Sequence, residues 1–209
     1  MEKHKIIIVD DHQLFRNGLK FILNEIKNIQ VVGEASNGQE FLDLLEYGIP
    51  DLVLMDINMP VMNGVTAAKI ALEKYPHLNI LVLSMYGETE YYNTMIDIGV
   101  KGFILKDVDN KELEDSINKV ISGGTYFSQE LLLNLIKNKS FNENIILTKR
   151  EKEVLELICK GYSNQQISDQ LFISQRTVER HRSNLLLKTN SKNSISLVLY
   201  AIRHKLISI

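Results

Sequence analysis

Ile6-Ile7-Ile8-Val9-Asp10-Asp11 is a run of four apolar residues closed by two carboxylates. A stretch this short and apolar at every position fits a strand covered on both faces, and such strands belong to parallel sheets. The pattern recurs outward along the chain. Val31 to Ala35, Leu52 to Met55, Ile80 to Leu83 and Phe103 to Leu105 supply four more strands, the third and fourth again apolar throughout. Between them lie amphipathic stretches: Phe15, Leu19, Ile22, Leu23 and Ile26 share one helical face, as do Leu113, Ile117, Val120 and Ile121. Gly33, Gly48, Gly87 and Gly102 punctuate the strands and loops. Repetition of the strand and helix unit predicts an α/β fold, a doubly wound sheet of five parallel strands in the order 2-1-3-4-5.

Open sheets of this kind place their ligand sites at the carboxyl ends of the strands, and polar residues collect there. Asp10 and Asp11 end the first strand, Asp56 the third, Ser84 the fourth and Lys106 the fifth. The first and third strands are neighbours in that order, which brings three carboxylates together. Their repulsion is relieved by a hard divalent cation with oxygen ligands, Mg²⁺ being the fitting ion, and Lys106 and Ser84 can then hold phosphoryl oxygens. The chemistry that fits is phosphoryl transfer to a carboxylate. Taken singly, each residue has an ordinary structural explanation: Asp-Asp caps helices and makes turns, Ile57-Asn58-Met59-Pro60 is turn chemistry, and lysines are usually solvated. Convergence of all five on one end of one sheet favours the site.

The chain has 209 residues, room for two small domains, and at 44% hydrophobic and 24% charged residues it has the composition of a folded globular protein. Its apolar runs fall short of the ~18 to 20 residues of a membrane span, and Met1 to Asp11 lacks a signal-peptide core, so a cytoplasmic protein with no membrane partner is expected. The single cysteine, Cys159, allows no internal disulfide and reads as a buried thiol beside Leu157 and Ile158. The five histidines show no metal-ligand spacing. Charge is divided: residues 1–122 hold 11 Lys and Arg against 19 Asp and Glu, whereas residues 146–209 hold 11 against 5. Only the second half therefore suits a polyanion, most simply nucleic acid.

Residues 123–145 read as a linker, with Leu131, Leu132, Leu135 and Ile136 spaced for a short helix within Ser128 to Lys137. That helix could pack one domain on the other or belong to the second. Residues 146–209 read as four helices. Thr148 with Glu151 makes a capping box, Val154, Leu155 and Ile158 form a buried stripe, and Gly161 ends the first helix. Ser163 caps a second carrying Ile167 and Leu171, Ser174 a third running to about Lys188, and Ile195, Val198, Leu199 and Ile202 mark a fourth. Two short helices joined by a tight turn, the later one rich in Arg and hydrogen-bonding side chains, suit a major groove.

By motif, residues 1–122 resemble a receiver domain of two-component signalling, a flavodoxin-like fold: Val9-Asp10-Asp11-His12, Leu54-Met55-Asp56-Ile57-Asn58-Met59-Pro60 with Gly64, Ser84, and Gly102-Phe103-Ile104-Leu105-Lys106-Asp107. Residues 146–209 resemble a LuxR-type helix-turn-helix domain through Leu147-Thr148-Lys149-Arg150-Glu151, Gly161-Tyr162-Ser163-Asn164, Ile167, Ile173-Ser174 and Thr177 to Arg182. Together they are similar to NarL/FixJ-family response regulators. The resemblance implies Asp56 as phosphoacceptor, Asp11 as direct Mg²⁺ ligand, Asp10 as a ligand through water and Asn58 through its carbonyl. Ser84 and Lys106 would hold the phosphoryl group, and Phe103 would stand at the switch aromatic, without the hydroxyl a tyrosine would bring. It further implies base contacts by Glu179, Arg180 and Ser183, and phosphate contacts by Thr177, Arg182 and Lys188. The implied partners are a sensor histidine kinase, double-stranded DNA and a second copy of the chain, with Tyr200 and His204 on the fourth helix as dimer candidates. Two rivals differ in class. In a DNA-binding protein indifferent to phosphorylation the receiver would serve only for dimerisation, and a haloacid dehalogenase phosphatase would need a second carboxylate where this chain has Asn58.

Overall fold

The strands form where the apolar runs predict them, because each is covered by helices on both sides. In the computed structural model, which describes residues 3–85, 89–128, 147–204 and 206–207, β1 (His4–Val9), β2 (Ile29–Ala35), β3 (Leu52–Asp56), β4 (Ile80–Ser84) and β5 (Gly102–Leu105) alternate with α1 (Gln13–Glu25), α2 (Gly38–Leu45), α3 (Gly64–Lys74), α4 (Thr89–Ile98) and α5 (Asn110–Ile121). Alternate strand residues point to opposite layers. Ile6, Ile8, Leu52, Leu54, Leu81, Leu83 and Ile104 pack with Leu19 and Leu23 of α1 and Leu113 and Ile117 of α5. Ile7, Val9, Val53, Met55, Val82 and Phe103 face the opposite layer, with Phe41, Ala67, Ala71, Tyr92 and Met95.

The sheet order is β2-β1-β3-β4-β5-β6, all strands parallel, so the expected order of the first five is present and a sixth strand extends it. This corrects the expectation of five strands. The extra strand, β6 (Tyr126–Phe127), is two residues long and lies in the stretch read as linker, too short to show any periodicity. It closes on β5 because Gly102 faces Tyr126: a Cβ there would lie 2.1 Å from the Tyr126 carbonyl oxygen. The expected helix within Ser128 to Lys137 falls almost wholly outside the described residues.

The C-terminal unit, over its described residues, consists of four helices and short turns: α6 (Lys149–Cys159), α7 (Asn164–Leu171), α8 (Gln175–Lys188) and α9 (Ser194–Arg203). Their N-caps are Thr148, Ser163, Ser174 and Asn193, each accepting from the backbone NH three residues on. Val154, Leu155, Ile158, Ile167, Val178, Leu185, Ile195 and Val198 form the core. Cys159 is half-buried, and desolvation pushes its thiol up to about 12, with Glu156 adding to the shift. Phe172 takes the left-handed conformation (φ 53°) between α7 and α8 and leaves its ring exposed.

The two units meet where the end of α4 faces the start of α9. Asn193 Nδ2 donates to the Ile96 carbonyl. Beside it, Lys192 Nζ lies 2.8 Å from Asp97 Oδ2. Among the described residues, no helix is long and apolar enough to cross a membrane.

Candidate phosphoacceptor site and nucleic-acid interface

Asp56 is the last residue of β3 and is buried, its Oδ1 accepting from the Ile57 NH at 2.8 Å. Gly64, at the start of α3, lets the helix close on this strand end, since a Cβ there would fall 2.0 Å from the Asp56 carbonyl oxygen. From the neighbouring strand Asp10, also buried, accepts from the His12 NH at 2.8 Å. Lys106, one residue past β5, sets its ammonium between the two carboxylates, 2.7 Å from Asp10 Oδ2 and 2.9 Å from Asp56 Oδ1. The Phe15 ring lies with its centroid 5.1 Å from that ammonium.

The electrostatics follow from burial. Desolvation pushes the Asp56 carboxyl up to about 6; Lys106 opposes the shift and Asp10 adds to it. For Lys106 desolvation works against the charge, but its bonds to Asp10 and Asp56 outweigh that and hold the ammonium above its ordinary value. Asp11 is partly exposed, its Oδ1 2.9 Å from His12 Nδ1. Asp10, Asp11, His12 and Asp56 each present a ligand atom within 4.8 Å of the others. That spacing and a mostly carboxylate donor set fit a hard divalent cation. Asn58 is exposed just beyond Asp56.

Ser84 ends β4 fully buried, with its Oγ 3.2 Å from the Tyr92 hydroxyl of α4. The ring of Tyr92 meets Phe103 edge-on, centroids 4.9 Å apart, and Phe103 in turn lies 5.9 Å from Phe127 of β6. Phe103 therefore points inward. The sequence placed Phe15 on the apolar face of the first helix and gave no site role to Tyr92 or to Arg16, whose Nη1 donates to the Asp10 carbonyl at 2.5 Å. Arg16 follows Asp10 by six residues and Tyr92 follows Ser84 by eight, yet no spacing pattern marks them for the pocket, because only the packing of α1 and α4 on the sheet turns them toward it.

The α8 face is different. Arg176, Glu179, Arg180, Ser183 and Leu187 are exposed and recur at helical spacing, while Val178 and Leu185 are buried on the opposite side. Thr177 lies near the helix start, its backbone NH and hydroxyl bonded to Ser174 Oγ. Two residues read as phosphate contacts are engaged inside the unit. Arg182 turns inward, donating to Asn164 Oδ1 at 2.8 Å and Ser194 Oγ at 2.6 Å, so it ties α7, α8 and α9 together. Lys188 pairs with buried Glu151 at 2.7 Å. Lys101 of the first unit is held below its ordinary pKa by burial and by the nearby charge of Arg182.

Residues 6–118 match the family described as response regulator receiver domain, and residues 145–201 match bacterial regulatory proteins of the luxR family. The transcriptional regulatory protein DegU of Brevibacillus brevis is 37% identical, covering 97% of this chain and 94% of its own. The crystal structure of ChrA, a response regulator of a heme-sensing two-component system, aligns with a TM-score of 0.57 at 29% identity, over 99% of this chain and 100% of its own. A structure of RcsB from Salmonella typhimurium, described as showing conformational dynamism for DNA interaction, aligns with a TM-score of 0.60 at 25% identity, over 97% and 99% of the two chains.

Proposed function

Since this chain belongs to the NarL/FixJ family of two-component response regulators, we propose that it is a transcription regulator whose DNA binding depends on phosphorylation of Asp56 by a sensor histidine kinase. The observation that carries this reading is the Lys106 ammonium set between buried Asp10 and Asp56. A buried charge cluster is costly to assemble, and here it is built around Asp56 at the end of β3. The Asp56 carboxylate attacks phosphorus as the P–N bond of the kinase phosphohistidine breaks. Lys106 and Ser84 then hold the phosphoryl oxygens, and Phe103, already buried, backs the switch through its contact with Tyr92. Asp11, Asp10 through water, Asp56 and the Asn58 carbonyl would hold Mg²⁺, which supplies neutralisation of charge on those oxygens. A chain built from these two modules is a signalling regulator, not an enzyme.

The domain division we adopt is a receiver over residues 1–122, a connecting segment over 123–145 and a DNA-binding unit over 146–209. The start of the connecting segment, β6 at Tyr126–Phe127, adds a strand to the receiver's sheet. Glu179, Arg180 and Ser183 read base edges, with Thr177 near the phosphate backbone; Glu179 sets specificity by accepting from cytosine N4. Arg182 and Lys188 act inside the unit first, through the bonds described above. Two chains pair on a two-fold promoter site. Tyr200 of α9 and His204 at its C-cap, which stack with centroids 4.1 Å apart, form the dimer contact.

The test is binding to a randomised duplex pool at fixed ionic strength, with and without a small phosphodonor plus Mg²⁺, for wild type and Asp56→Ala. Phosphodonor should tighten wild-type binding to a two-fold site and leave the variant unchanged. Equal binding under every condition would replace this reading with a receiver that only dimerises.

A further inference from the structure

Ser84, Tyr92 and Asn193 lie on one continuous route between the phosphoacceptor pocket and the inner side of α8. Ser84 is the pocket residue whose hydroxyl is turned toward a helix, bonding Tyr92 of α4 at 3.2 Å. Phe103, at the family's switch position, has no hydroxyl, so the polar link from this aromatic layer to Ser84 comes from α4 instead. One helical turn beyond Tyr92, the Ile96 carbonyl accepts from Asn193 Nδ2. Asn193 is also the N-cap of α9, its Oδ1 accepting from Ile195 N at 3.1 Å and Ser196 N at 3.0 Å. The next residue, Ser194, accepts from Arg182 of α8 at 2.6 Å. The Lys192–Asp97 pair alongside is exposed on both sides and adds little.

We infer that Tyr92 is a positioning residue for the switch: its hydroxyl holds Ser84 in the unphosphorylated form and, through α4, the Ile96 carbonyl and Asn193, holds the DNA-binding unit against the receiver. When Ser84 re-aims its Oγ at a phosphoryl group on Asp56, the Tyr92 link is given up. The packed helix α4 then shifts as one body, because side chains in a close-packed layer do not deform independently. The grip of Ile96 on the α9 cap loosens with it. The hold acts on orientation, since Arg176, Glu179, Arg180 and Ser183 on the outward face of α8 are already exposed. The inference rests on the phosphorylation reading above, and the variants below separate the two.

Two substitutions in the full chain remove one link each. Tyr92→Phe keeps the ring against Phe103 and loses the hydroxyl. Asn193→Asp keeps an acceptor for the α9 cap and loses the donor to Ile96. DNA affinity is measured on a duplex selected from a randomised pool by the wild-type chain, and phosphoryl uptake by Asp56 is followed in parallel. Without phosphodonor, each variant should bind about 5- to 10-fold tighter than wild type, the scale of an ordinary coupling between sites. The double variant should bind no tighter than the stronger single one, because both links lie on one route. After phosphorylation all four proteins should converge. Unphosphorylated Tyr92→Phe within twofold of wild type overturns the inference, as does a double variant whose effects multiply. If wild type takes up no phosphoryl group, the phosphorylation reading falls. The comparison of unphosphorylated variants still decides whether Tyr92 holds the resting arrangement.

Discussion

The phosphoacceptor pocket and the outward face of α8 both carry charged side chains at functional positions, yet they are built in opposite ways. In the pocket Asp10, Asp56 and Lys106 are withdrawn from water and set against one another at 2.7 and 2.9 Å. On α8, Arg176, Glu179 and Arg180 stand in solvent. A pocket that must place a phosphoryl group needs its electrostatics organised before the reaction, so it carries the desolvation cost permanently. A surface that reads a polyanion gains from leaving its charges hydrated until the partner arrives, when counterion release drives binding. Preorganisation in one region and availability in the other are what a switch joining them requires.

The contrast is broken most directly by removing Lys106. Lys106→Met leaves Asp10 and Asp56 facing each other without a cation, and stability in the presence of a chelator should fall by about 3–5 kcal/mol, the scale for a buried charge robbed of its partner. Urea unfolding reads this, and Mg²⁺ should return part of the loss. A change below about 1 kcal/mol would mean that water enters the pocket as freely as it reaches α8.

Next in size is the pH response of Asp56. Its carboxyl ionises near 6 in the folded chain against an ordinary 3.8. The folded state thus retains a proton that the unfolded state has released, and stability falls as pH rises from about 4 through 6. Asp56→Asn lacks this titration. With chelator present it should exceed wild type by about 1–3 kcal/mol at pH 7, and the gap should close toward pH 4. Saturating Mg²⁺ should shrink the gap at pH 7 as well.

The smallest effects sharpen the comparison within α8 itself. Arg182→Ala removes two charged hydrogen bonds that cross three helices and should cost about 1–3 kcal/mol of thermal stability. Arg180→Ala, on the exposed face, should leave stability within about 0.5 kcal/mol and instead weaken DNA binding. If both variants melted alike, the inward and outward faces of α8 would not be the distinct surfaces described here.

Burial also explains which parts were legible in sequence. Strands β1, β3 and β4 could be placed because both faces are covered, leaving a run with no polar interruption. Asp10, Asp56 and Lys106 could be assigned to one site because strand ends in a parallel sheet converge whatever the loops do. The caps Thr148, Ser163 and Ser174 are equally local, each fixed by a side chain and a backbone NH three residues away. On α8, by contrast, composition showed which residue types were present but not which way each one turned. Arg180 and Arg182 read alike in a list of basic residues, and only the packing of α7 and α9 around the helix turns Arg182 inward.

The sequence by itself therefore determined the parallel sheet, the carboxylate and lysine cluster at the carboxyl ends of its strands and the four-helix unit that follows, because short-range periodicity and strand-end position encode them. Tertiary structure alone decided the sixth strand, the bond from Tyr92 to Ser84 and the grip of Asn193 on Ile96. The residues in the last of these lie 97 positions apart. Contacts of that kind depend on where packed helices come to rest, and no local pattern in the chain records it.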